Sequence, residues 1–106
     1  MDKVIPPKYA QRNALDAKRC LDKGFNAMTK VGKKRMNQLI NREPLSKKDL
    51  KDINSFRRHI KNAEFSEEPC KDKGYIAWKG WGLGYKKGKP NLRFSDWAKK
   101  KLKEFK

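Results

Sequence analysis

The sequence predicts an all-α fold: a small single-domain bundle of three to five helices carrying an aromatic, glycine-rich basic loop. Apolar residues recur at helical spacing in separate stretches, and capping or stop residues bound those stretches. The length of 106 residues supports one domain with a modest core.

Positions 1–7 read as an exposed lead-in, with Pro6 and Pro7 suited to the start of a helix because a missing N–H costs nothing there. The first helix is expected from Lys8 to Lys23. Ala10, Ala14, Ala17 and Leu21 form its apolar stripe, Leu15 and Cys20 widen it, and Gly24 stops it. Phe25 to Met28 connect it to a second helix, Lys30 to Asn41, capped by Thr29. Val31, Met36, Leu39 and Ile40 supply its apolar face, and Lys33, Lys34 and Arg35 its polar one. Ser46 and Asp49 form a capping box for the third helix, flanked by Leu45 and Leu50 at the staple positions. Its apolar face runs Leu50, Ile53, Phe56, Ile60, opposite Lys47, Lys48, Lys51, Arg58 and Lys61. Residues 62–73 then read as an exposed loop holding Glu64, Glu67 and Glu68. One or two helical turns follow around Tyr75 to Trp81, then a basic glycine loop over 82–94. A last helix is expected to be capped by Ser95, with Asp96 in its first turn and lysines toward its end, matching the helix dipole.

Charge is the strongest compositional signal. Lys and Arg number 29 against 12 Asp and Glu, a formal net charge of +17. That far exceeds what solubility needs, ~2–8 for a small domain, so an anionic partner is expected. Nucleic acid and an acidic protein surface both qualify. A membrane does not, because no apolar run approaches the ~20 residues of a spanning helix and the N-terminus lacks a signal-peptide core. Two cysteines make no disulfide framework; Cys20 and Cys70 read as reduced thiols of a cytoplasmic chain, with a single disulfide between them left as the alternative.

Catalytic and cofactor chemistry find no footing. The single histidine, His59, has no cysteine placed beside it, and two cysteines and one histidine are too few for a structural zinc site. A P-loop ending in Gly88-Lys89 would need glycine at Leu83 and a hydroxyl residue at Pro90; a dinucleotide fingerprint from Gly82 would need glycine at Lys87. No cofactor, metal or small-molecule substrate is therefore expected. The short joint between helices two and three resembles a helix-turn-helix, but an ordinary helical hairpin with a solvated basic face explains it as well. Lysines dominate the cations, and lysine neutralises phosphates rather than reading bases, so any nucleic-acid binding should be sequence-nonspecific. The residues expected to meet a polyanion or protein partner are Lys33, Lys34, Arg35, Arg42, Lys47, Lys48, Lys51, Lys79, Lys86, Lys87 and Lys89. Among the aromatics, Trp78 and Trp97 read as core, and Trp81 and Tyr85 as candidates for an interface.

An ordered series of short motifs runs through most of the chain: Thr29-Lys30-Val31-Gly32, Arg35, Gln38-Leu39, Pro44-Leu45-Ser46, Ile53, Ser55-Phe56, Arg58-His59, Gly74 to Trp78, Trp81-Gly82, Gly84 and Trp97-Ala98. It resembles a small helical module of tailed-bacteriophage virion and head-associated proteins. The chain departs from that pattern at Leu83, where a second glycine is usual, and in a more basic loop beyond it. The resemblance implies a component of the phage head, made in the bacterial cytoplasm and partnered by the major capsid protein or another head protein. It also implies that Trp78 packs on the third helix and that Arg58 pairs with an acidic group. The expected function is thus a non-enzymatic structural protein that binds the capsid as an auxiliary or decoration subunit. The alternative is a nonspecific DNA-binding protein of the phage genome.

Overall fold

A computed structural model describes residues 3–63 and 68–105; Glu64 and Glu67 of the expected acidic loop lie outside them. Among the described residues five α-helices build the fold: α1 (Lys8–Asp22), α2 (Lys30–Ile40), α3 (Lys47–Ser55), α4 (Lys73–Gly80) and α5 (Arg93–Leu102). Helix α1 packs on α2 and α4, and α3 packs chiefly on α5. The joint between α2 and α3 therefore does not produce the broadly packed helix pair that the helix-turn-helix comparison requires.

The local signals explain most boundaries. Thr29 accepts a hydrogen bond from the Gly32 N–H and caps α2. Ser46 and Asp49 close a complete capping box on α3. Helices α1, α2 and α4 each end on a paired-carbonyl motif. Phe25 N–H donates to Cys20 O and Gly24 N–H to Leu21 O; the equivalent pairs are Glu43 to Gln38 with Arg42 to Leu39, and Leu83 to Trp78 with Gly82 to Lys79.

The buried stripe Ala10, Ala14, Ala17 of α1 is made of small side chains, which lets neighbouring helices approach closely. Leu39, Leu50, Ile53, Ile76, Trp78, Leu83 and Phe94 fill the space between helices. Trp78 is fully buried, and its indole N–H donates to Gly84 O at 3.0 Å, so its polar end is satisfied. It lies 6.0 Å from Phe56, just past the end of α3. Trp97 is only half-buried, stacked on Phe94 at 5.3 Å.

Gly82 is a tight, left-handed point of the core. Its φ is +87°, and an added Cβ would stand 2.7 Å from the Phe94 ring and 2.9 Å from Leu39 Cδ1. Gly82→Ala is therefore expected to lower the unfolding free energy by about 3 kcal/mol, combining left-handed strain with overpacking. Urea unfolding at unchanged m-value checks this; a loss within experimental error would mean the Phe94 side is loosely packed.

Several expectations are corrected. The lead-in is not wholly exposed: Pro6 is fully buried, and Val4 pairs with Leu45 in an antiparallel bridge. Helix α3 stops at Ser55 and tightens into a 3₁₀ helix, Phe56–Asn62. The stretch 62–73 is not simply a loop at the surface. Ala63 is buried, Pro69–Lys71 form a 3₁₀ turn, and Cys70 is bonded to Cys20, which is 3% exposed. The two cysteines are thus a disulfide and not free thiols; folding brings their Cα atoms to 5.2 Å, within bridging range. The expected loop over 82–94 contains a β-hairpin, β1 (Tyr85–Lys86) and β2 (Lys89–Pro90), and Gly82, Leu83 and Gly84 are buried before it. Ser95 does not cap α5. The helix starts two residues earlier, because Phe94 must enter the core, and the Ser95 hydroxyl donates to Asn54 O.

Candidate docking surface

The expected binding cations divide into two groups. Arg35 is 8% exposed, and its guanidinium donates to Asp49 at 2.8 Å, to Asp52 at 3.1 Å and to Gln38 Oε1. It joins α2 to the capping box of α3 and also lies 5.3 Å over the Trp81 ring. Lys79 is likewise buried, with Nζ 2.7 Å from Asp16 and 3.1 Å from Asn13 Oδ1. Arg42 is half-buried; its Nε and an Nη both donate to Pro6 O, clamping the N-terminal segment onto α2. These three are structural, not partner-facing as expected. A helical face read from periodicity cannot reveal which cation will meet a distant acid or carbonyl.

The second group is exposed. Lys33 and Lys34 stand on α2, Lys47, Lys48 and Lys51 on α3, and Lys86, Lys87 and Lys89 on the hairpin. Lys48 Nζ lies 3.6 Å from Asp52; the other seven have no ion-pair partner among the described residues. Most acidic side chains are already engaged. Asp16, Asp22, Asp49, Asp52, Glu68, Asp96 and Glu104 all pair with nearby cations, and Asp72 caps α4. The positive excess is consequently carried by lysines that point away from the protein's own carboxylates.

The hairpin presents three of them on a fixed backbone. Tyr85 pairs with Pro90 and Lys86 with Lys89, leaving the two-residue turn Lys87-Gly88 with φ +55° and +78°. Both signs are those of the type I′ turn favoured by twisted hairpins. The base is anchored by Trp78 to Gly84 O, by Asn91 N–H to Gly84 O, and by the Tyr85 hydroxyl, which donates to Ala63 O. Tyr85 also stacks on Tyr75 at 4.9 Å. Burial, then the nearby Asp72, pushes its hydroxyl well above the ordinary tyrosine range, keeping it a donor. Tyr85 thus anchors the finger rather than forming its contact face.

Trp81 sits elsewhere, in a cleft of about 690 Å³ between the start of α2, the 3₁₀ helix and α4. Its ring stacks on Phe56 at 4.5 Å and 11°, and Phe56 in turn lies 4.6 Å from His59. Met28, at φ +78°, and Val31 form the apolar side of the cleft; Arg58 and Lys73 line it as well. Val31, on the apolar face expected for the second helix, is 64% exposed. The buried stripe of α2 is Gly32, Met36 and Leu39, at i, i+4 and i+7, and Val31 lies off it, a signal the sequence did contain. Arg58 has no acidic partner among the described residues; its neighbour Arg57, outside the cleft, pairs with Asp96 at 3.2 Å. Among the described residues no group of His, Cys, Asp and Glu is placed to hold a metal ion, and no helix is long and apolar enough to cross a membrane.

Comparison with known protein families, characterised proteins and solved structures finds no match.

Proposed function

We propose that the chain is a non-enzymatic structural protein of a tailed-phage particle, docking onto the capsid shell or another head protein through its cationic surface. The observation that carries this is the anchored hairpin, which holds Lys86, Lys87 and Lys89 exposed and without an ion-pair partner among the described residues. Complementary charge steers encounter and fixes register, and a preorganised finger does so without an ordering cost. The resemblance to head-associated modules supplies the particle context. The Cys20–Cys70 bond fits it, since disulfides persist on virions and in other oxidising surroundings. The net charge of +17 also favours a second reading, nonspecific binding to the packaged genome.

The test has two parts. Mass spectrometry of purified virions should find the chain at a level comparable with other head proteins; its absence would exclude a virion role. The variant Lys86→Glu, Lys87→Asn, Lys89→Glu keeps a residue tolerant of left-handed φ in the turn. It should bind heads that lack the protein at least about tenfold more weakly at moderate salt, as removing three positive charges and adding two negative ones implies. Equal binding would remove the hairpin from the interface.

A further inference from the structure

We infer that the Trp81 cleft is a second recognition site, and that it takes a short acidic segment of a partner protein bearing one aromatic or large aliphatic side chain. The inference deepens the docking proposal and rests on it only for the partner being a protein.

Three features identify this occupant. Val31, exposed at 64%, and Met28 give the cleft an apolar wall with space for a side chain. Arg58 and Lys73, both exposed, have no acidic partner among the described residues, and Asp52, the one carboxylate among the described residues that line the cleft, is held by Arg35 and Lys48. The cleft therefore offers unneutralised positive charge beside apolar surface. The third feature is Trp81. Phe56 stacks on its ring and the Arg35 guanidinium lies over it, so the ring is already engaged and poorly placed to stack on a nucleobase. The indole N–H makes no hydrogen bond to a described residue and stands near Gly32, where an added Cβ would lie 3.4 Å from Nε1. A donor beside two cations and an apolar wall suits a carboxylate or peptide carbonyl flanking an apolar anchor.

Amide and indole NMR of the full chain would be recorded with a capped heptapeptide of aspartate and glutamate residues around a central phenylalanine. The Trp81 indole N–H and the amides of Val31 and Gly32 should move on titration. The same peptide with central alanine should bind several-fold more weakly. Arg58→Gln with Lys73→Gln should weaken the complex by about tenfold, as two rim charges of ~0.5–1 kcal/mol each imply. Val31→Asp, at an exposed position, should abolish it while leaving the spectrum of a folded protein.

Shifts confined to Lys86–Lys89, with the alanine peptide binding equally well, would overturn the cleft site and leave the hairpin proposal standing. An oligothymidylate moving the Trp81 indole more strongly than the peptide would also overturn it, in favour of nucleic acid. So would Trp81 shifts that follow protein concentration alone, which would assign the cleft to a second copy. Loss of head binding that tracks the cleft variants but not the hairpin variant would instead sink the hairpin and retain the cleft.

Discussion

Replacing Arg35 with methionine is expected to lower the unfolding free energy by about 3 kcal/mol, a drop of roughly 15 °C in Tm for a domain of this size. The methionine keeps most of the apolar stem but takes the buried guanidinium from Asp49 and Asp52, whose side chains are 22% and 38% exposed and which keep only Gln38, the Ser46 N–H and Lys48. That partial exposure lets water relieve some of the stranded charge, so the loss falls at the low end for a broken buried pair. The variant also removes the cation over Trp81, and Trp81 fluorescence should change with stability. A loss below ~1 kcal/mol would mean that this cluster behaves like ordinary surface ion pairs.

The same cluster makes the protein acid-sensitive. Burial alone would raise the Asp49 pKa, but hydrogen bonds from Arg35, the Ser46 N–H and Gln38, with the charge of Arg35, outweigh it and hold the carboxyl at about 2. A folded pKa below the unfolded one stabilises the fold above the unfolded value, ~3.9, and that stability is lost as pH falls through the folded value. Unfolding free energy should therefore decline between about pH 4 and pH 2, and Asp49→Asn should flatten that decline while lowering stability at neutral pH. A decline of equal slope in the Asn variant would assign the acid sensitivity to other carboxylates.

Breaking the disulfide is the other large effect. Cys20 and Cys70 are 50 positions apart, and closing a loop of that length constrains the unfolded chain by about 4 kcal/mol. The bond ties the end of α1 to the turn that leads into α4, where Asp72 caps the helix and Gly74 presses against the Asn62 carbonyl. The double variant Cys20→Ala, Cys70→Ala should lose about 4 kcal/mol in urea unfolding, and reductant should have the same effect on the natural chain but none on the variant. Insensitivity of the natural chain to reductant would mean that the thiols are not joined in solution.

Local chemistry made much of this architecture legible. Thr29, Ser46 and Asp49 cap the helices they were expected to cap, and the alanine stripe of α1 is the buried one. What escaped detection depends on distance in the chain or on unusual residues. Lys87 at φ +55° hides a type I′ turn, because asparagine or glycine is the usual sign, and two-residue strands show no alternation. Ser95-Asp96 looks like a helix start, but the requirement to bury Phe94 draws the helix back to Arg93. Arg35 and Lys79 look solvated until folding places Asp49, Asp52 and Asp16 beside them. Many residues of the ordered motif series meet in one cluster: Arg35 and Gln38 on the capping box, Phe56 on Trp81, Trp78 in the core. The series reads as a folding unit, with Arg58 and His59 left at the edge of the cleft.

The most direct test of cationic docking onto protein rather than DNA is a titration against duplex and single-stranded DNA at low and then near-physiological salt. Docking onto an acidic protein surface predicts weak DNA binding that disappears as salt rises, since exposed lysines gain little beyond counterion release. Sub-micromolar binding that survives physiological salt would contradict it and assign the cationic surface to the genome.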